Sequence, residues 1–140
     1  MRKKRRVRAV EVTRLDDLKA LLTEGKPILV DLWKANCQPC RMMAGIVDEL
    51  AAEFDGRAHV VKVDVGRVPG AIEAFQVRST PTFVVLAKPQ KPLSKKARQR
   101  AGGVPAAAAP SLNPRWRVSG LVRKDILTGA LRSNGAGDDR

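Results

Sequence analysis

The feature that most constrains this chain is a Cys-Gln-Pro-Cys quartet, with Cys37 and Cys40 at its ends, where two sequence patterns meet. The apolar run at residues 28–33 predicts a buried strand, and helical spacing begins near Pro39. Backbone N–H groups in the first turn of a helix lack internal partners and carry a positive partial charge, so a sulfur placed there is more stable as a thiolate. The pair is therefore placed for thiol–disulfide exchange.

The order of the two cysteines predicts their roles. We expect Cys37 to be the more exposed and to attack a substrate disulfide. Cys40, one helical turn further on, would then attack the mixed disulfide and release the reduced product. Pro39 suits its position between them, because its fixed φ matches the first helical turn and it has no N–H to leave unpaired.

Two other interpretations of the quartet stay open at this point. A Cys-x-x-Cys pair can be half of a four-ligand zinc site, or it can be an inert pair of thiols. The chain contains no further cysteine and a single histidine, His59. A metal site would therefore need acidic ligands or a second subunit.

Several motifs in a fixed order resemble the thioredoxin family. Residues 28–42 read ILVDLWKANCQPCRM, which is similar to the family's active-site segment. Downstream, residues 62–65 (KVDV) resemble the strand after the active-site helix, and residues 79–83 (STPTF) resemble the family's cis-proline loop. The order and spacing agree over residues 28–86, and the similarity extends over most of residues 7–132.

The resemblance implies a role for four residues of the reaction centre. Cys37 would be the attacking cysteine and Cys40 the resolving one. Asp31 would be the buried carboxylate beneath Cys40 that accepts its proton, and Lys62 would be the neighbouring charge. A carboxylate in an apolar strand is expected to have a raised pKa, which suits proton exchange near neutrality. Taken singly, Asp31 could be an ordinary strand-end residue and Lys62 a solvated one.

The resemblance also implies a face that binds clients. Pro81 would be the cis proline opposite the disulfide, and Thr80 would offer its backbone polar groups to an extended substrate segment. The other implied substrate contacts are Trp33, Gln38, Pro39, residues 68–70 and Gly120.

Four residues depart from the family pattern, among them Gly66, which replaces a usual acid after the central strand. Asn36 stands where thioredoxins usually have a second tryptophan, and Gln38 stands where they usually have glycine. Both change the substrate face. Gly45 replaces the proline that usually bends the active-site helix.

Elsewhere the hydrophobic spacing alternates between strand and helix patterns. Strands are predicted at residues 7–12, 28–33, 60–65, 83–86 and 116–118. Helices are predicted after a cap formed by Thr13 with Asp16, from near Pro39, from Pro69 and over residues 121–131. This alternation is typical of α/β proteins with helices on both faces of a sheet. Together with the resemblance it predicts a thioredoxin-like fold, a central mixed sheet of four to five strands flanked by helices.

The prediction divides the chain into a flexible basic tail at residues 1–6, a thioredoxin-like domain at residues 7–132 and a flexible tail at residues 133–140. Within the domain, residues 88–114 are rich in proline, alanine and bases and contain no acid. Such a composition cannot bury enough apolar surface to fold alone, so we expect an exposed, disordered insertion before the last strand. It could be a basic binding arm, a neutral elaboration, or a translated stretch that replaces the family's usual hairpin.

The net charge of +13 is unevenly distributed. Residues 1–10 and 88–100 each carry +6, whereas residues 11–87 carry nine bases and eleven acids. The domain is thus close to neutral, and the positive charge belongs to its appendages. We expect the N-terminal bases to form a solvated tail, with salt-sensitive attraction to phosphates or acidic surfaces as the alternative.

The predicted function is the reduction of disulfides in cytosolic proteins. No apolar stretch of signal-peptide or membrane-span length follows the N-terminal bases, so we expect a cytosolic location, where the pair would be mostly reduced. The resemblance implies no bound cofactor, a monomer, and electrons from an NADPH-dependent thioredoxin reductase. Two rival hypotheses are a thioredoxin-like module tethered to nucleic acid or ribosomes by its basic arms, and a metal site shared across a dimer.

Overall fold

The computed structural model describes residues 7–88 and 112–137, which form one five-stranded sheet with helices on both faces. In chain order the elements are β1 (Val10–Glu11), α1 (Leu15–Leu22), β2 (Ile28–Trp33), α2 (Gln38–Glu53), β3 (His59–Asp64), α3 (Ala71–Phe75), β4 (Thr82–Leu86), β5 (Trp116–Ser119) and α4 (Lys124–Leu131). The strand order in the sheet is β1-β3-β2-β4-β5. The expected mixed sheet of the thioredoxin-like fold is confirmed.

Strand β2 is the centre of the sheet. It pairs parallel with β3 and antiparallel with β4, so that Asp31 lies between Lys62 and Phe83. All of β2 except Trp33 is buried, because helices cover both faces of the sheet and leave neither face of this strand exposed to solvent. Asp31 is the exception to this apolar run, and its position directs attention to the end of the strand that leads to the cysteines.

Two hydrophobic cores lie on opposite faces of the sheet. One core packs Leu18 and Leu22 of α1 and Phe75 of α3 against the sheet. The other packs α2 and α4 against it, with Leu50 and Leu127 among its fully buried members. The helix that carries the active-site pair is therefore held firmly along its apolar face.

The structure shortens two of the predicted elements. The first strand, expected over residues 7–12, is only Val10–Glu11, because it is an edge strand that pairs with β3 alone. The last helix begins at Lys124 and not at residue 121, and Leu121 is exposed. The first helix begins after Arg14 with no side-chain cap, so the predicted cap by Thr13 with Asp16 is wrong.

The chain after the last helix packs back against the domain as far as residue 137. Residues 133–140 are predicted to be a loop, but a π-type turn, Arg132–Ala136, continues from α4. Ala136 is buried in the core beneath α2 and α4, and Arg57 donates a hydrogen bond to the carbonyl oxygen of Gly137 at 2.8 Å. Residues 1–6, 138–140 and 89–111, the greater part of the predicted insertion, lie outside the described residues.

Helix α2 runs without interruption through Gly45. A Cβ added there would meet no atom within 4 Å. Replacement by alanine would therefore relieve the entropic cost of a glycine in a helix without any clash.

We expect Gly45→Ala to raise the free energy of unfolding by about 0.5–1 kcal/mol, as measured by urea titration. Gly56→Ala is the matched control, because its Cβ would also meet nothing within 4 Å but its φ is +85°. That variant should lose about 1 kcal/mol, because alanine is strained in the left-handed region. A loss of stability in Gly45→Ala would show that the helix is not regular at this position.

Candidate active site

Cys37 and Cys40 form a disulfide at the start of α2, with their Cα atoms 5.2 Å apart. Cys37 is the N-cap of the helix and Cys40 lies in its first turn. The two residues are almost equally buried, 7% and 6% exposed, so the expected difference in exposure between Cys37 and Cys40 is very small. Their contacts distinguish them instead.

The sulfur of Cys37 faces two hydrogen-bond donors. The backbone N–H of Cys40 donates to Cys37 Sγ at 3.2 Å, and the hydroxyl of Thr80 donates to it at 3.4 Å. The carbonyl oxygen of Thr80 lies 3.6 Å from the same sulfur. Donors directed at a sulfur favour its thiolate form, so the reduced Cys37 is placed to be the nucleophile.

The loop opposite the disulfide is fixed by Pro81. The Thr80–Pro81 peptide bond is cis, which confirms the sequence prediction. The carbonyl oxygen of Pro81 accepts a hydrogen bond from the backbone N–H of Gly120 at 2.9 Å. Thr80, Pro81 and Gly120 therefore come together on the side of Cys37.

Asp31 is almost completely buried, with only 1% of the residue exposed. Within residues 7–88 and 112–137 its Oδ1 atom finds no hydrogen-bond partner. Burial raises the pKa of Asp31 to about 7, although attraction to Lys62 partly opposes this rise. The raised pKa agrees with the expectation for a carboxyl in an apolar strand.

A cavity of about 190 Å³ connects this carboxyl with the cysteines. Asp31, Cys37, Cys40 and Lys62 all line it. A carboxyl that titrates near neutrality and opens to the same space as Cys40 is suited to accept the proton of that thiol.

Lys62 and Trp33 are linked through a residue that the sequence analysis missed. Glu11 lies beside Lys62 in the register of β1 and β3, and its Oε2 accepts a hydrogen bond from Trp33 Nε1 at 3.1 Å. The Nζ atom of Lys62 lies 4.8 Å from the centroid of the Trp33 ring. The charge of Glu11 also contributes to the raised pKa of Asp31. Lys62 is thus half-buried, and its ammonium group lies against the Trp33 ring, so the side chain is not simply solvated.

The remaining predicted contacts lie around the same end of the sheet. Gln38 is exposed and Pro39 half-buried at the start of α2. Val68 lines a second cavity, of about 210 Å³, which shares Trp33 with the first. Asn36 is exposed with φ at 61°, a left-handed conformation that asparagine tolerates better than most residues.

No group of three or more potential metal ligands occurs among the residues that the structure describes. His59 begins β3 in register with Ile28, whereas the cysteines follow the opposite end of β2. Its Nε2 atom lies 3.2 Å from Glu24 Oε1. A single chain therefore does not bring its histidine to its cysteines.

Comparisons with known proteins agree with this geometry. A model of the Thioredoxin family matches residues 9–107. The chain is 37% identical to Thioredoxin 1 of Nostoc sp. over 83 residues, which are 59% of this chain and 78% of that protein. It is 42% identical to a thioredoxin of Staphylococcus saprophyticus over 67 residues, which are 48% of this chain and 64% of that protein.

The fold is similar to that of solved thioredoxin structures. A mutant thioredoxin from Halobacterium salinarum NRC-1 superposes with a TM-score of 0.68 at 23% identity, over 96% of both chains. In the described part of the chain, no helix has the length and apolar character needed to cross a membrane.

The buried carboxyl predicts a specific dependence of stability on pH. The pKa of Asp31 is about 7 in the folded protein and near 3.8 in the unfolded chain, so the folded state binds more protons between these values. The free energy of unfolding should therefore fall as pH rises, by about 3 kcal/mol between pH 5 and pH 8. Asp31→Asn should remove this fall, as measured by urea titration of the oxidised protein.

Asp17→Asn, at an exposed position on α1, is the control and should keep the wild-type pH dependence. An Asp31→Asn variant that loses stability with pH as steeply as the wild type would show that Asp31 ionises normally.

Proposed function

The chain belongs to the thioredoxin family of protein-disulfide oxidoreductases, and on that basis we propose that it reduces disulfides of cytosolic proteins through Cys37 and Cys40. One observation supports this more than any other. The sulfur of Cys37 lies at the start of α2 with two donors directed at it, and Cys40 is within bonding reach behind it.

The first step is an attack by the Cys37 thiolate on one sulfur of the client disulfide. A new S–S bond joins Cys37 to the client, the client's own S–S bond breaks, and the other client sulfur leaves as a thiolate that takes a proton from solvent. The N–H of Cys40 and the hydroxyl of Thr80 stabilise the Cys37 thiolate before the attack.

The second step releases the client. Cys40 must lose its proton before it attacks the sulfur of Cys37, and Asp31 accepts this proton through the shared cavity. The bond from Cys37 to the client breaks, and the second client sulfur leaves as a thiolate that takes up the proton held by Asp31. Two electrons have then passed to the client, whose two sulfurs have gained one proton from solvent and one from Cys40 by way of Asp31.

The disulfide that remains must be reduced again. We assign this to an NADPH-dependent thioredoxin reductase, the partner that the family implies, and we assign no bound cofactor to the chain itself. A cytosolic location fits this cycle, because the cytosol keeps such pairs mostly reduced. The protein acts as a monomer in this scheme, since one chain supplies both cysteines.

The client binds on the face that surrounds Cys37. Thr80 and Pro81 present backbone to an extended client segment, and Gly120 is held beside them by its hydrogen bond to Pro81. Trp33 borders the same face and its indole is fixed by Glu11. Gln38, Pro39 and residues 68–70 complete the contact surface in this proposal.

The assay that tests the function is insulin reduction in the presence of dithiothreitol. The wild type should accelerate precipitation of the insulin B chain, and Cys37→Ser should show background rates because the nucleophile is absent. Cys40→Ser is the matched variant, because it keeps the first attack but cannot resolve it. It should show little turnover, and when it is reduced, freed of dithiothreitol and mixed with insulin it should accumulate a covalent mixed disulfide visible on a non-reducing gel.

Equal activity in the wild type and Cys37→Ser would contradict the proposal. So would a Cys40→Ser variant that turns over normally.

A further inference from the structure

The rim of the active site carries exposed basic side chains that no acid of the described residues pairs with. Lys34 and Arg41 line the same cavity as Cys37, and both are exposed. Neither side chain has an ion pair or hydrogen bond to any residue within 7–88 and 112–137. Their charges are therefore available to a molecule that approaches the disulfide.

A further arginine extends the basic rim. Arg67 lines the neighbouring cavity beside Trp33, and its side chain is 87% exposed although it lies 3.8 Å from Asp64.

The acids that line the same two cavities do not balance this charge toward solvent. Asp31 is buried with its pKa near 7, and Asp64 is buried with its Oδ1 accepting from the N–H of Gly66. Glu11 is the one exposed acid of this lining, and its Oε2 accepts from the indole N–H of Trp33. Three exposed bases, Lys34, Arg41 and Arg67, outnumber it, so the outward charge of this face is positive.

This positive face is a local arrangement and not a consequence of a basic domain. Residues 11–87 carry nine bases and eleven acids, so their net charge is slightly negative. Asn36 lowers the apolar contact that this face offers a client, because an exposed amide stands where the family usually has an aromatic residue. Charge should then contribute a larger share of client selection.

We propose that the basic rim formed by Lys34, Arg41 and Arg67 selects client proteins whose disulfide is flanked by acidic residues. The inference rests on the proposed function, since the reaction at Cys37 requires a disulfide. The anion must therefore belong to the same molecule as that disulfide, which favours Asp and Glu side chains of a protein over a nucleic-acid phosphate. Complementary charge accelerates encounter and disfavours clients with basic flanks.

The test uses three synthetic peptides with the same internal disulfide, flanked on both sides by Asp, by Gln or by Lys. The reduced full-length protein is mixed with each peptide, and the second-order rate constant of reduction is measured at low ionic strength. The quantity compared between proteins is the ratio of the Asp-peptide rate to the Lys-peptide rate. Any change in the intrinsic reactivity of Cys37 affects both peptides and cancels in this ratio.

The double variant Lys34→Gln/Arg41→Gln should lower this ratio about tenfold relative to the wild type. The matched control is Lys19→Gln/Arg115→Gln, which removes the same charges from exposed positions on α1 and at the far end of the sheet. The control should change the ratio by less than about twofold, because Lys19 and Arg115 line neither cavity beside Cys37 and act on the peptide only as more distant charges. Raising the salt to about 0.5 M should remove most of the wild-type preference.

An unchanged ratio in Lys34→Gln/Arg41→Gln would overturn the inference, and so would an equal fall in the control, which would reveal only an effect of net charge. Reduction of the Gln-flanked peptide is a separate readout. If the wild type reduces it but shows no preference for the Asp peptide over the Lys peptide, the proposed function stands and the inference falls. If the wild type cannot reduce it, both fall.

Discussion

The whole arrangement depends on the position of one sulfur atom, Sγ of Cys37. Strand β2 brings the chain to this point, helix α2 begins there, and the loop with the cis peptide at Pro81 closes over it. The N–H of Cys40 and the hydroxyl of Thr80 both donate to this atom. Each donor lowers the free energy of a thiolate relative to a thiol, so the contacts that hold the disulfide in place also prepare its reduced form for attack.

The carboxyl of Asp31 shows the cost of this chemistry to the fold. A fully apolar β2 would be more stable at neutral pH. A buried carboxyl has lost its hydration, so its ionisation near neutrality costs free energy. The chain keeps this group in the middle of its central strand and places Lys62 next to it. In the proposed mechanism the second step of exchange requires a proton acceptor of raised pKa that shares the cavity of Cys40, and Asp31 would fill this role at a cost in stability.

The sequence predicts those parts of the fold that a strong local pattern determines. The apolar run of β2 and the helical spacing of α2 give both elements within a residue or two, and the family motifs bring Asp31, Thr80 and Pro81 to the cysteines. The place of Glu11 depends on the register of an edge strand two residues long, which alternation alone cannot fix. The packing of Ala136 and the nearly equal burial of the two cysteines are tertiary effects that no local pattern encodes.

The most direct test of this account is the rate at which Cys37 is alkylated by iodoacetamide as a function of pH, in the reduced Cys40→Ser variant. The donors directed at Sγ predict a midpoint clearly below about 8.5, the pKa of an unperturbed cysteine. Cys37 should then react at neutral pH as a substantial fraction of thiolate. A midpoint at or above about 8.5 would contradict the account, because the helix start and Thr80 would then do nothing to activate the sulfur.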